Sequence, residues 1–327
     1  MKLDKTNNAI LRELHHNCRI ADTQLAKKIG KSVETTRYRI AQLEKTVIRG
    51  YSLIIDPGML GFISGKIYLK TKRNTKRLAQ LTAYLHNNKN TFWYGVANGF
   101  WDIGITFFCE NQNTFFQLKN ELTSQFSDII TQQHIANIVE VSIKTLDVYE
   151  SKTPSTNIQF WTKTSREQID TLDYAIISLL FKNARESLVQ IAVKLESNVE
   201  TIRQRIKKLQ KQGIIQKFSA QLDFTQMGFV FYKTFLKMTN LTQNQLSKIE
   251  EFYNREPNIL HMVKQIADYD IEFEIIVSDH FEYLKLVEKI ETTFYESLVG
   301  LESAIIHTDV VFPQGIPAQM HRGNDKK

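Results

Sequence analysis

The first fifty residues alternate apolar positions at helical spacing with short polar breaks. Residues 3–16 place four apolar side chains on one helical face: Leu3, Ile10, Leu11 and Leu14. A second helical segment runs from about Thr23 to Gly30, a residue suited to the left-handed end of a helix. Ser32 then stands where a third helix needs a capping side chain. Three short helices joined by tight turns predict a helix-turn-helix whose third helix reads DNA.

The sequence of this third helix occurs twice in the chain. The first copy reads VETTRYRIAQL from Val33 and the second reads VETIRQRIKKL from Val199, a shift of 199 − 33 = 166 residues. Matches continue on both sides of the helix, with one residue gained in the second copy after it. Two tandem copies of one module are therefore the firmest prediction from the sequence.

After each helix-turn-helix the apolar period shifts towards two, which predicts strands. Four strands are expected in each copy, at 65–71, 91–96, 102–109 and 138–148, and at 231–238, 258–265, 270–277 and 303–312. Two helices lie between them in each copy, at 75–87 and 113–126, and at 242–255 and 280–296. The order βαββαβ predicts a ferredoxin-like sandwich with an antiparallel sheet, and the fold class is α+β.

The repeat and the polar segment between its copies divide the chain into units. We expect two winged helix-turn-helix domains alternating with two ferredoxin-like domains for effector binding and dimerisation. The predicted units are 1–50, 51–150, a linker at 151–165, 166–217, 218–313 and a mobile tail at 314–327. Phe160 and Trp161 in the linker indicate that this segment packs against the protein. The two sandwiches should pair their sheets within the chain as an internal pseudo-dimer, which leaves room for homo-oligomers.

Positive charge is concentrated in the two helix-turn-helix copies. The whole chain has a net charge of +7, with 42% hydrophobic and 24% charged residues, which is ordinary for a globular protein. Residues 1–50 hold eleven Lys/Arg against five Asp/Glu, and residues 170–217 hold nine against five. Residues 241–320 hold five against fourteen. This distribution favours double-stranded DNA as the partner of two separate segments.

The remaining composition points to a cytoplasmic protein. Cys18 and Cys109 are the two cysteines, and two free thiols suit a reducing compartment. The first residues lack the apolar core of a signal peptide, and no apolar run approaches the roughly 18 residues that span a bilayer. No metal-ligand spacing, phosphate-binding glycine loop or nucleophile–base arrangement stands out. We therefore expect no catalytic residues, no metal, no cofactor and no membrane association.

The complete pattern resembles the Lrp/AsnC family, the feast/famine transcription regulators. The resemblance covers 1–150 and again 166–313, and is carried by Leu3, Asp4, Ile10, Leu11, Arg19, Leu25, Ala26, Ser32, Arg39, Ile40, Leu43, Ile48 and Gly61. The family's Gly-x-x-Asp turn corresponds to Gly99–Asp102. The resemblance implies a regulator whose sandwich domains dimerise and bind a small effector such as an amino acid. Two copies in one chain look like a covalent version of that dimer.

The candidate DNA-binding residues lie on and just before the two reader helices, which we define as residues 33–44 and 199–211. They are Ser32, Glu34, Thr35, Thr36, Arg37, Tyr38, Arg39, Asn198, Glu200, Thr201, Arg203, Gln204 and Arg205. Arginines suit phosphates, whereas the shorter polar side chains suit base edges. Arg39 and Arg205 each precede a buried apolar position, so a structural salt bridge is an alternative for both. Tyr38 matches Gln204 and Thr36 matches Ile202, which predicts unequal half-sites.

The candidate effector residues lie in the turns between the middle strands. The resemblance implies effector binding by Gly99, Trp101, Asp102 and Asp270. The aspartates could orient an amino group or could only cap their turns. In the second copy Ala267 replaces the glycine, so we expect at most one working effector pocket.

Two other functions share parts of this pattern. Some haem-pathway, sirohaem-type decarboxylases have the same architecture and can be fused pairs. Such an enzyme would need a tetrapyrrole pocket, and the histidines available for one are sparse: His134, His261 and His307. An effector-sensing protein that has lost DNA binding would lack basic reader helices, which are present here. The sequence therefore favours a regulator that is not an enzyme.

Overall fold

The first helix-turn-helix forms from the three predicted helices. The computed structural model describes residues 4–144, 157–162, 165, 167–239, 241–312 and 315–316. The three helices are α1 (Lys5–His16), α2 (Asp22–Ile29) and α3 (Val33–Glu44). Their apolar positions meet in one core that includes Ile10, Leu14, Leu25, Ile40 and Leu43. Gly30 ends α2 with φ 65°, the left-handed conformation expected from the sequence.

The second copy of the module repeats this arrangement. Its helices are α6 (Thr171–Lys182), α7 (Leu188–Lys194) and α8 (Val199–Lys211). Asp170 caps α6 as Asp4 caps α1, each by accepting the backbone N–H three residues later. The tandem repeat predicted from the sequence is therefore present in the fold.

The strand that follows each reader helix pairs with its counterpart in the other copy. β1 (Ile48–Ile55) and β7 (Ile215–Leu222) form a two-stranded antiparallel ribbon. Matched bonds tie each helix-turn-helix to the opposite strand: Cys18 N–H donates to the Phe218 carbonyl at 3.0 Å, and Ala184 N–H to the Tyr51 carbonyl at 2.9 Å. Each helix-turn-helix thus rests on a strand of the other copy, which the sequence did not indicate.

Each copy then builds the predicted βαββαβ unit. The first comprises β2 (Ile63–Thr71), α4 (Thr75–Asn87), β3 (Thr91–Gly99), β4 (Ile103–Cys109), α5 (Gln112–Gln125) and β5 (Ile130–Lys144). The second comprises β8 (Val230–Met238), α9 (Gln243–Arg255), β9 (Ile259–Ile266), β10 (Ile271–Val277), α10 (His280–Thr293) and β11 (Leu298–Val311). Strand orders are β5-β2-β4-β3 and β11-β8-β10-β9, the same order in both copies.

The two four-stranded sheets join at both edges and close into a barrel. β3 pairs antiparallel with β11, and β5 pairs antiparallel with β9. Within the described part of the chain this gives a ring of eight strands from β2 round to β5. The two sandwiches were expected to pair their sheets, and the structure shows how they do so: strand pairing at both edges makes the two sheets continuous. A closed ring leaves neither sheet with an unpaired edge along the shared length.

A charged network lies inside this barrel and links the two copies. Lys66 donates to Glu272 at 2.6 Å and Lys233 donates to the other oxygen of Glu272 at 2.8 Å. Tyr68 also donates to Glu272, whose side chain is fully buried. Two ammonium groups and a phenol therefore compensate one buried carboxylate, as a charge in such a place requires.

Part of the predicted linker belongs to the sheet. β6 (Asn157–Phe160) pairs with β5, and the aromatic side chains of Phe160 and Trp161 are buried as expected. Most of the predicted mobile tail, residues 317–327, lies outside the described residues. Within that tail Ile316 is buried, and its carbonyl accepts a hydrogen bond from the Tyr174 hydroxyl at 2.9 Å. No helix among the described residues is long and apolar enough to cross a membrane.

Candidate nucleic-acid interface

Both reader helices start at a polar side chain that caps them. The Ser32 hydroxyl accepts the Thr35 backbone N–H at 3.1 Å, and the Asn198 side chain accepts that of Thr201 at 2.7 Å. Ser32 and Asn198 are exposed, while Thr35 and Thr201 are half-buried. The two caps therefore have a structural role, and each stands at a helix N-terminus, where backbone N–H groups favour a negative ligand such as a phosphate.

Arg39 and Arg205 hold their reader helices to the first helix of the same module. Arg39 donates to the Asp4 carboxylate at 2.6 Å and to Asn7 at 2.9 Å. Arg205 makes the equivalent bond to Asp170. The hydrogen bond from Arg39 is the main reason that the pKa of Asp4 is lowered. The salt-bridge alternative considered for these arginines is thus realised in both copies, and their prediction as DNA contacts stays a prediction.

Arg37 and Arg203 are more exposed, with 65% and 45% of their side chains accessible. Arg203 pairs with Glu200 one turn earlier in its own helix. Arg37 instead donates to Asp22 at 2.8 Å, and the second oxygen of Asp22 accepts from Arg185 at 3.0 Å. Because Arg185 belongs to the other module, Asp22 connects the first reader helix to the second helix-turn-helix.

The shorter candidates for base reading differ in accessibility. Tyr38 is 67% exposed, and Gln204 at the matching position is also exposed, as are Glu34 and Glu200. Thr36 is fully buried, and its hydroxyl donates to the Ser32 carbonyl at 2.8 Å. The expectation that Thr36 faces bases is therefore wrong for this conformation, because the side chain belongs to the helix-turn-helix core. Its counterpart Ile202 is buried in the same way, so this pair cannot distinguish half-sites.

Exposed lysines lie beside the first reader helix. They contribute to its positive charge but were not among the predicted DNA-binding residues. Lys27 and Lys31 flank the left-handed turn at Gly30 and are exposed. At the positions equivalent to Gly30 and Lys31, the second copy has Glu196 and a serine. Alignment of the two copies would have shown this difference, which places more positive charge beside the first reader helix.

The turns predicted to bind an effector are tightly packed. Trp101 is fully buried, and Asp102 accepts the Thr71 backbone N–H at 2.8 Å. Asp270 accepts the Met238 N–H at the same distance, so both aspartates cap the end of a neighbouring strand. Gly99 has φ 134°, and a Cβ there would lie 2.3 Å from the Ser303 carbonyl oxygen, so this glycine is required for contact with β11.

The two turns meet at one end of the barrel. The rings of Phe100 and Tyr269 are 5.1 Å apart, and Phe100 also lies 4.8 Å from the His134 ring. The structure thus brings together the turns that carry the four predicted effector residues. It shows a packed contact between copies there, in which Asp102 and Asp270 are both partly accessible.

A separate cavity of about 470 Å³ lies between the ribbon and the barrel. Ribbon residues Ser52–Ile55 and Ser219–Leu222 form one wall, and the barrel and linker form the others. Charged side chains at its barrel end include Lys66, Lys233, Glu274 and Asp309. No sequence motif indicated this cavity, because its walls come from many segments that are distant from one another in the sequence. Among the described residues, no group of three or more His, Cys, Asp or Glu is placed to hold a metal ion.

Comparison with known proteins identifies the class of protein to which the chain belongs. The AsnC-type helix-turn-helix domain matches residues 3–44, and a winged helix-turn-helix DNA-binding domain matches residues 169–216. An uncharacterized HTH-type transcriptional regulator of Pyrococcus furiosus is 34% identical over 104 residues, which cover 32% of this chain and 69% of that protein. The HTH-type transcriptional regulator LrpB of Bacillus subtilis is 41% identical over 64 residues, covering 20% and 43%. The chain belongs to the Lrp/AsnC family of helix-turn-helix proteins.

One solved structure matches the duplicated architecture over nearly the whole chain. The siroheme decarboxylase NirDL, in complex with an iron-uroporphyrin III analogue, aligns with a TM-score of 0.64 at 12% identity and covers 97% of both chains. At this identity the likeness concerns the fold, and it supports the arrangement of two modules in one continuous body.

Proposed function

We propose that this protein is a DNA-binding transcriptional regulator in which one chain presents both reader helices of a family dimer. The observation that carries the proposal is the pair of capped, arginine-bearing helices α3 and α8 held on one exchanged ribbon. Family membership and the regulator names of its relatives support it. The basic excess of the two modules supplies the sequence-independent attraction to phosphate.

The two reader helices should bind unequal half-sites. Tyr38 and Gln204 occupy matching exposed positions but differ in size and hydrogen-bonding groups. Arg37 pairs with Asp22 of α2, whereas Arg203 pairs within its own helix, so the two arginines reach phosphate from different starting positions. We propose an imperfect palindrome with half-sites roughly 34–36 Å apart, one helical turn of DNA. Selection from random DNA that returned a perfect inverted repeat would contradict this.

Two finer parts of the proposal concern the effector and catalysis. We keep an amino-acid effector at the turns as a proposal, with Asp102 and Asp270 as the accessible groups and not Trp101, which has no accessible surface. We propose that the protein is not an enzyme. A sirohaem-type decarboxylase would use open cationic groups for the carboxylates of a tetrapyrrole, and here Lys66 and Lys233 are held by internal carboxylates. A strong visible absorbance of the purified protein would favour the decarboxylase.

The test of DNA binding is a salt series on a random-sequence duplex. Each phosphate contact steepens the slope of log affinity against log salt by roughly 0.9. We expect steep salt dependence for the natural chain, and a slope lower by about 1.8 for Arg37→Ala/Arg203→Ala, since two contacts are removed.

A matched variant removes the same charge elsewhere. Lys248→Ala/Arg255→Ala takes two cations from α9, outside both helix-turn-helix modules, and should leave the slope unchanged. If both double variants lower the slope equally, the reader helices are not the contact surface. Absence of binding by the natural chain at low salt would favour an effector-sensing protein that has lost DNA binding.

A further inference from the structure

The cavity between the ribbon and the barrel has an apolar side. Val141, Ile143, Phe160, Trp161 and Val263 form one buried cluster, which the ring of Phe92 joins. These residues line the cavity and come mainly from the first copy, the linker and β9. This side offers a surface for an aliphatic or aromatic group and no charged partner.

The barrel end of the cavity is charged, and its cations already have partners. Lys66 pairs with Glu272, and Lys233 pairs with both Glu272 and Glu274. Glu274 also bonds the imidazole of His261. These two lysines and two glutamates therefore balance one another in formal charge.

The other cations of the cavity wall are engaged as well. Lys144 donates to the Glu256 carbonyl at 2.7 Å, at the end of α9, and its side chain is buried. Arg49 pairs with Asp223 at 2.8 Å. Arg49 is therefore neutralised by a carboxylate, whereas Lys144 is held by neutral backbone carbonyl groups.

Asp309 is the carboxylate that remains. Its bonded partner is neutral, the Trp93 indole N–H at 2.5 Å. Its surface is accessible, yet burial is the main cause that raises the pKa of its carboxyl group, followed by the nearby negative charge of Glu274. A side chain that is accessible and also deep among protein atoms faces a cavity. Asp309 is therefore a carboxylate that faces the cavity and is bonded to a neutral donor.

The two copies differ at this position. Val141 pairs with Val263 on β9 in the first copy, and Asp309 pairs with Gly95 on β3 in the matching register of the second. By the internal symmetry, the position of Val141 on the apolar side of the cavity therefore matches the position of Asp309. Divergence of the copies has produced a cavity with an apolar residue at one of these positions and a carboxylate at the other.

We propose that this cavity binds an amphipathic organic cation, with its ammonium group at Asp309 and its apolar body against Phe92, Trp161 and the neighbouring valines. The volume of about 470 Å³ lies within the range of small-molecule sites. A primary or secondary amine would donate a charge-assisted hydrogen bond to the carboxylate, which has no cationic bonded partner in the described part of the chain. The aromatic walls accommodate both an aromatic body and the adjacent positive charge.

Three probes with a common phenyl body test this inference on the full chain. They are 2-phenylethylamine, the neutral 2-phenylethanol and the anionic 3-phenylpropanoate, and calorimetry gives the affinity of each. We expect the amine to bind most tightly. Asp309→Asn keeps the size of the side chain and should weaken the amine roughly ten- to hundredfold while leaving the alcohol unchanged.

A second variant locates the site. Val311 lines the cavity and is 46% exposed, so Val311→Trp can be accommodated and should weaken both the amine and the alcohol. Glu302→Gln removes an exposed carboxylate from the same strand outside the cavity and should have no effect. The proposal is overturned if the amine fails to bind at millimolar concentration, if the alcohol or the acid binds as well as the amine, or if Asp309→Asn binds the amine unchanged. The measurement needs no DNA, so its outcome is independent of the regulator proposal.

Discussion

Glu196 adopts a left-handed backbone conformation, and the matching residue of the first copy is a glycine. Its φ is 48°, and the matching Gly30 has φ 65°. A side chain in the left-handed region costs roughly 1–2 kcal/mol. We expect Glu196→Gly to raise the free energy of unfolding by about 1 kcal/mol, measured by urea denaturation.

The reverse substitution is the control for this strain. No atom lies within 4 Å of a Cβ built on Gly30, so Gly30→Glu would add strain without a clash. It should lower the free energy of unfolding by a similar amount. Equal stability of Glu196→Gly and the natural chain would show that the turn in the second copy carries no strain.

Lys217 is a buried cation in the ribbon, and its ammonium group has no hydrogen-bond partner among the described residues. Burial lowers its pKa to about 8. Since its ordinary value is 10.5, the unfolded chain binds more protons than the folded one between about pH 8 and 10.5, and stability rises with pH across that window. Below pH 8 both states are protonated and the full cost of burying the charge remains.

Substitution of this lysine should remove that cost. We expect Lys217→Met to stabilise the protein at pH 7 by about 3.5 kcal/mol, from a pKa difference of about 2.5 and roughly 1.4 kcal/mol per unit. The gain should shrink as the pH rises from 8 to 10.5. Urea denaturation at several pH values measures it, with the exposed Lys248→Met as the comparison. A gain that does not vary with pH would contradict the charge-burial argument.

Comparing the two copies gives information about single residues that neither copy gives alone. Thr36 looked like a base reader because it is polar and lies on the reader helix, but it is buried. Its counterpart Ile202 is apolar, and an apolar residue at the same helical position indicates a core position. Arg39 and Arg205 could be assigned from sequence as either salt bridges or DNA contacts, and only the positions of Asp4 and Asp170 show the salt bridges.

At the scale of elements, strands and helices were predictable where their pattern is local. The prediction of a helix at 75–87 matches α4, and the strand expected at 270–277 matches β10 within a residue. Pairing partners were not predictable in this way. The period-two pattern shows which face of a strand is buried, but not that β1 pairs with a strand 167 residues away or that β6 adds to β5.

The exchanged ribbon determines how the two reading modules are held. Ser52 donates to the Phe181 carbonyl at 3.1 Å and Ser219 donates to the His15 carbonyl at 2.8 Å, which repeats the same bond in both copies. Each serine lies on the ribbon, and each carbonyl belongs to the first helix of the opposite module. One ribbon therefore positions both modules, and a change in its twist would move both reader helices together.

At the scale of the whole molecule, the barrel interior shows why the copies suit each other. Glu272 occupies the position that matches Gly104, and added side-chain bulk at Gly104 would lie 2.7 Å from the Trp93 ring. A barrel made of two first copies would place two equivalents of Lys66 together without Glu272. A barrel made of two second copies would have an excess of carboxylates. The observed pairing balances these charges, so divergence favours association within the chain.

The buried ion pair between Lys66 and Glu272 allows a test of this charge balance. Glu272→Gln leaves Lys66 without its bonded carboxylate in a fully buried site, and we expect a loss of about 3 kcal/mol in the free energy of unfolding. The loss is limited because burial already lowers the pKa of Lys66 to about 8, so the lysine can release its proton. Denaturant unfolding at pH 7 measures the change.

A double variant separates charge balance from packing. Lys66→Met/Glu272→Gln removes the cation together with the carboxylate, while the amide oxygen still accepts from Tyr68, so most of the stability should return. Glu250→Gln breaks the partly exposed pair with Lys264 and should cost less than about 1 kcal/mol. If the double variant is as unstable as Glu272→Gln, the cost arises from altered packing and not from an uncompensated lysine. The internal charges would then not explain why these two copies pair with each other.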